Sequence, residues 1–88
     1  MTRQDIEKEV LDIFLREFEV DHPEPDVNLR DAYGFDSIDA IELLLEIEKF
    51  LGSELKQEEK KQAMDIRTLT HIIDYIEMLA GKRGLLAG

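Results

Sequence analysis

The stretch GFDSIDAIELLLEIEKF, Gly34 to Phe50, limits the fold of this 88-residue chain more than any other, because its apolar residues crowd two sides of one helix. At 100° per residue, Ala40, Leu43, Leu44, Ile47, Phe50 and Leu51 share one broad side, and Ile38, Ile41 and Leu45 fall together on the opposite one. Asp39, Glu42 and Glu46 flank the second stripe along one edge and Glu48 along the other. The first side is a core face. The second reads as a docking strip, in which apolar residues give contact area and a carboxylate rim steers a basic partner.

The remaining segments are built to pack against that helix. Ile6, Val10, Ile13, Phe14 and Phe18 recur at helical spacing, so a helix runs over about residues 3–18, with Thr2 and Asp5 as its capping pair. Residues 19–35 carry Pro23, Pro25 and Gly34 and read as a long ordered loop. The central helix occupies residues 37–51 and stops at Gly52. ELKQEEKKQAM predicts a short, charged third helix, and Leu69, Ile72, Ile73, Ile76 and Leu79 predict a fourth over residues 68–79. No segment shows strand alternation. The expected fold is an all-α four-helix bundle of three main helices and a short third one, forming one domain over residues 1–80 with a flexible tail over 81–88.

Charge and composition exclude several functions. Twenty-one acidic against eleven basic residues leave a net charge of −10, which repels nucleic acid and anionic membranes, so any charged partner should be basic. No apolar run approaches the ~20 residues that span a bilayer, and MTRQDIEKEV lacks the apolar centre of a signal peptide. Cysteine is absent, which removes disulfides and thiolate metal sites and makes the cytoplasm the expected compartment. A monomer without stable membrane association is expected.

Ser37 is the residue with unexplained chemistry. Asp36 suits the N-cap and Asp39 completes a capping box, placing Ser37 in the first turn with its hydroxyl exposed. There it lies beside unsatisfied amides and the positive end of the helix dipole, which favour a negatively charged substituent. Ser37 is not set up as a nucleophile in its own right. Only His22 and His71 could serve as its base, both read as surface residues, and no G-x-S-x-G elbow surrounds it. DAYGFDSIDAIE fails as a calcium loop at its third, fifth and sixth positions, and no phosphate-binding glycine loop is present. No catalytic residue and no metal site is expected.

YGFDSIDAIELLLEIEKFLGSEL followed by DIRTLTHIIDYIEML resembles the acyl carrier proteins, from residue 3 to about residue 79. The resemblance implies that a phosphopantetheinyl transferase moves 4′-phosphopantetheine from coenzyme A onto Ser37, giving a freestanding carrier of acyl thioesters in fatty acid or related lipid and polyketide synthesis. It further implies that Asp36, Ile38, Asp39, Ile41, Glu42, Leu45, Glu46 and Glu48 form the docking helix. Basic patches on acyl-transfer and chain-elongation enzymes would read that helix. Phe14, Leu43, Leu44, Ile47, Ile72 and Ile76 would line an acyl pocket. The chain departs from typical members in a longer Gln57–Met64 segment, in Lys56, Lys60 and Lys61, and in a tail bearing Lys82 and Arg83. Two alternatives remain at this point: an aminoacyl or peptidyl carrier on the same fold, and an unmodified acidic module that binds a basic helix.

Overall fold

The computed structural model describes residues 1–87. The chain forms α1 (Arg3–Phe18), α2 (Leu29–Tyr33), α3 (Ser37–Leu51), α4 (Gln57–Gln62), a 3-10 turn (Ala63–Asp65) and α5 (Leu69–Lys82), with no strand among the described residues. Each long helix starts on a side-chain cap. Thr2 and Asp5 close a capping box on α1, Asp36 and Asp39 close one on α3, and Thr68 and His71 close one on α5. Gly52 ends α3 at a φ of 73°, where any side chain would be strained.

One core joins the three long helices. Ile6, Val10, Ile13 and Phe14 of α1 meet Leu43 and Ile47 of α3 and Ile72, Ile76 and Leu79 of α5, all essentially removed from water. At roughly 1.5–3 kcal/mol for each fully buried large apolar side chain, these residues supply most of the drive to fold. The broad side of α3 divides as it meets its neighbours: Leu43, Ile47 and Leu51 are buried, whereas Ala40, Leu44 and Phe50 are half-buried at its margins.

Two expectations are corrected. The segment after α1 is not all loop, because Asn28 caps a helical turn at Leu29–Tyr33 through its Oδ1, which accepts from Asp31 N–H at 3.0 Å. Leu29 anchors that turn: its side chain is buried and its N–H donates to Arg67 O at 2.9 Å. Five residues are too few for a hydrophobic period to show. The charged segment after α3 forms the short helix expected there, over Gln57–Gln62, before tightening into the 3-10 turn.

The chain beyond residue 80 is docked rather than frayed. α5 continues to Lys82, Ala80 is fully buried, Leu85 N–H donates to Ala80 O at 2.8 Å, and Ala87 N–H donates to Met1 O at 2.7 Å. Arg83 reaches across to α4, where its guanidinium makes bonds of 2.8 and 3.0 Å to the two carboxylate oxygens of Glu59. Of the expected flexible tail, residue 88 lies outside the described residues.

Candidate functional site

Ser37 is placed by the turn that joins α2 to α3. Gly34 ends α2 in the left-handed region, at a φ of 68°, and its N–H donates to Arg30 O at 3.0 Å. The reversal swings Phe35 inward against α1. Its ring stacks on Phe14 at 5.7 Å between centroids and meets Phe18 edge-on at 5.4 Å, while Phe14 and Phe18 meet each other at 5.2 Å. With residue 35 held by two other rings, the next two residues have little freedom.

Asp36 then closes the helix start. Its Oδ1 accepts from the N–H groups of Ile38 and Asp39, each at 3.0 Å, and Asp39 Oδ2 accepts from Asp36 N–H at 3.0 Å. The bond from Asp39 N–H holds the Asp36 carboxyl below the usual carboxylate range, assisted by Ile38 N–H and the field of Arg30. The amides expected to be free near Ser37 are therefore largely taken by an ionised carboxylate. Ser37 itself is exposed, and its hydroxyl makes no hydrogen bond among the described residues. Neither histidine serves it. His22 is solvent-exposed beside Asp21, and His71 uses Nδ1 to accept from the N–H groups of Arg67 and Thr68 at the start of α5.

The second stripe of α3 stands open to solvent, with Ile38, Ile41 and Leu45 exposed by 73%, 62% and 47%. The acidic rim is only partly as expected. Glu46 is buried, not a rim residue, because it lies on the flank of α3 that meets α1, where its carboxylate accepts from Arg16 at 2.8 Å. That bond to Arg16 holds the Glu46 carboxyl below its ordinary range. Arg16 also bonds Glu17 at 2.6 Å, which balances a group in which carboxylate oxygens of Glu17, Glu42 and Glu46 lie within 4.8 Å of one another. Glu48 is half-buried and uses Oε2 to accept from Leu55 N–H at 2.7 Å. Asp36, Asp39, Glu42 and Glu48 remain as rim carboxylates with no ion-pair partner among the described residues.

A groove of about 640 Å³ opens beside Ser37, between α2, the start of α3 and the 3-10 turn. It shares Phe35, Ala40, Ala63, Met64 and Ile66 with a narrower apolar cleft of about 130 Å³, which Leu43 and Leu44 help to line. Of the expected pocket residues, only those two leucines line this cleft. Phe14 belongs to the aromatic trio and borders a separate hollow near Phe18 and Val20. Ile47, Ile72 and Ile76 are sealed in the core. The far wall comes from residues 60–66, which no helical period in the sequence could set opposite Leu44.

Comparison with known proteins agrees with this geometry. Residues 8–76 match the family described as the phosphopantetheine attachment site. An acyl carrier protein of Rubrobacter xylanophilus is 31% identical over 78 residues, covering 86% of this chain and 93% of that protein. The acyl carrier protein 2 of Ralstonia nicotianae is 30% identical over 81 residues, covering 90% and 96%. The solved acyl carrier protein of Enterococcus faecalis, noted for its thermal stability, superposes with a TM-score of 0.65 at 31% identity over 86% of this chain and 95% of that one. On sequence and fold together, the chain belongs to the acyl carrier protein family, whose members bear phosphopantetheine and act as carriers, not catalysts.

Proposed function

We propose that Ser37 is the attachment residue for 4′-phosphopantetheine, and that the protein carries acyl intermediates in the cytoplasm for fatty acid or related lipid and polyketide synthesis. The observation that carries this reading is the Ser37 hydroxyl: exposed, without a hydrogen-bond partner among the described residues, and opening onto a groove of mixed lining that leads to the apolar cleft. These residues fit the group, since a phosphodiester needs an accessible oxygen and the arm needs a surface along which to lie. When attached, the arm supplies a thiol to hold the acyl group, and this chain has no cysteine of its own.

The chain's residues do the positioning. Phe35 and the Asp36–Asp39 box fix where Ser37 stands, and since no base is hydrogen-bonded to it among the described residues, its deprotonation falls to the transferase. Ile38, Ile41 and Leu45 give partner enzymes an apolar strip, with Asp36, Asp39, Glu42 and Glu48 supplying the field that draws basic patches. Glu46 takes no part, being spent on Arg16. A cavity of about 150 Å³ holds a benzene ring, so the 130 Å³ cleft shelters only a short acyl chain unless residues 60–66 move.

Intact mass after incubation with coenzyme A and a broad-specificity phosphopantetheinyl transferase tests the assignment. The wild type should gain the mass of one phosphopantetheine, and Ser37→Ala, folded by circular dichroism, should gain none. A modified Ser37→Ala protein, or an unmodified wild type, would overturn it.

A further inference from the structure

The five arginines of this acidic chain divide into two groups. Arg3 pairs with Asp74 at 2.8 Å, Arg16 with Glu46 at 2.8 Å and Arg83 with Glu59 at 2.8 Å. Arg30 and Arg67 form no ion pair among the described residues, although acids outnumber bases by twenty-one to eleven. Those two both line the groove that contains Ser37. Arg67 uses one terminal nitrogen to donate to Met64 O at 2.7 Å and Ile66 O at 2.8 Å. Its Nε–H and its other amino group have no acceptor among the described residues, and Arg30 makes no side-chain hydrogen bond among them.

A phosphodiester on Ser37 brings one more negative charge to this place. The helix N-terminus offers it little, because Asp36 already occupies the Ile38 and Asp39 amides and is ionised. Asp31 also lines the groove, so an added anion has two carboxylates, Asp31 and Asp36, to be offset by a cation. Arg30 and Arg67 are the groove's countercharges. A guanidinium presents parallel N–H donors that match phosphate oxygens, and here the phosphorus would be one bond from Ser37 Oγ, so little freedom is lost when it is held.

Resting on the carrier reading above, we propose that Arg30 and Arg67 bracket the phosphodiester of the Ser37-linked arm and aim the arm along Phe35, Met64 and Ile66 towards the cleft. The pair thus forms a phosphate site within the protein, reserved for its own prosthetic group. Arg30 is the residue to change first, since it has no side-chain hydrogen bond or ion pair among the described residues to lose.

The test compares unmodified and phosphopantetheinylated protein, each verified by intact mass, for wild type, Arg30→Gln and Arg30→Gln/Arg67→Gln. In the wild type, modification should displace the Nε–Hε resonances of both arginines and raise Tm by about 2–6 °C at low salt, with the gain shrinking as salt screens the charges. Arg30→Gln should change the unmodified Tm by less than the gain, since it removes only the weak field of Arg30 on Asp36, and should lose about half of the gain, and the double variant should lose all of it. Unmoved arginine resonances, or an equal gain in all three proteins, would overturn the bracket while the mass gain still upheld the carrier. The same displacement caused by inorganic phosphate in Ser37→Ala would also overturn it, in favour of a site for free anions. No mass gain in the wild type would remove both readings together.

Discussion

The two sides of this small bundle are held by different physics. On the Arg83 side a charged pair is taken out of water. Glu59 is 2% exposed, its carboxylate accepts from Arg83 twice and from Lys56 N–H at 2.8 Å, and Tyr75 Oη–H donates to Glu59 O at 2.6 Å. Arg83 further donates to Ser53 Oγ at 2.7 Å and Glu54 O at 3.2 Å, so one side chain ties the α3–α4 loop, α4 and α5 together. On the Ser37 side the side-chain bonds are short-range or exposed, as in the Asp36–Asp39 box and the Thr70 hydroxyl that donates to Pro25 O at 3.0 Å. The comparison separates two uses of polarity. Where groups are buried they must satisfy one another, and where they must meet other molecules they are left open.

The largest expected effect comes from breaking the buried side. Arg83→Met keeps much of the bulk and removes the charge, leaving the Glu59 carboxylate with Lys82 at 3.6 Å as its one remaining cation among the described residues. Uncompensated buried charges of this kind cost about 3–5 kcal/mol, and the partial rescue by Lys82 brings the expectation to roughly 2–4 kcal/mol in urea unfolding. The double variant Glu59→Leu/Arg83→Met should recover most of that loss, because removing both partners removes the orphaned charge as well. A single variant within 0.5 kcal/mol of wild type would show that the clamp is ornamental. Mass gain at Ser37 should be complete in every variant that folds.

Acid titration is the next step down in size and reads the same clamp. The bidentate bond from Arg83 lowers the Glu59 carboxyl from an ordinary 4.5 to about 2, with the Lys56 amide adding to the effect. The folded value is the lower one, so the unfolded chain takes up the proton first. The stabilisation is whole above pH 4.5 and is lost as pH falls towards 2. Asp36, Asp5 and Glu46 are shifted in the same direction and steepen the fall. Glu59→Gln should flatten the slope of stability between pH 4.5 and 2 relative to wild type, and an unchanged slope would assign it to those other carboxylates.

The contrast between the sides also explains what could be read from the sequence. The capping boxes of α1 and α3 were legible because each spans three residues, and the two stripes of α3 because helical geometry alone separates them. The Glu46 wheel position was legible too, but not that Arg16 of α1 would cover it. QEEKKQ reads as surface from end to end, yet Glu59 is buried because a cation 24 residues later reaches it. Arg30 and Arg67 meet at one groove only through α2, whose five residues show no period. Contacts within one turn were visible, and contacts between elements that carry no apolar period were not.

A smaller effect is expected at Tyr75, whose hydroxyl is pushed up to about 12 by burial and by the nearby Glu59 charge. Tyr75→Phe removes the bond to Glu59 O and should cost about 1 kcal/mol. For this acid the folded value is the higher one, so the wild type should lose stability as pH rises from 10 towards 12, and Tyr75→Phe should lose less over that window.

The smallest change in stability is expected on the open side, where it matters most for function. Ile41 is 62% exposed, and Ile41→Ser removes apolar area that folding leaves in water. Surface substitutions away from caps and buried partners stay within about 0.5 kcal/mol, so urea midpoints should coincide with wild type. Docking should not be so tolerant. If the strip is where a partner sits, Ile41 is desolvated on binding, and its loss should weaken a basic-patched acyl transferase about tenfold by titration calorimetry, in line with the ~1.4 kcal/mol of a modest anchor residue. Leu44→Ser supplies the contrast, since Leu44 is half-buried against the cleft and should lower stability before it lowers docking. If Ile41→Ser lowered stability as Leu44→Ser does and left docking intact, the stripe would be a packing surface, and the division between a closed side and an open one would fail at the helix on which it rests.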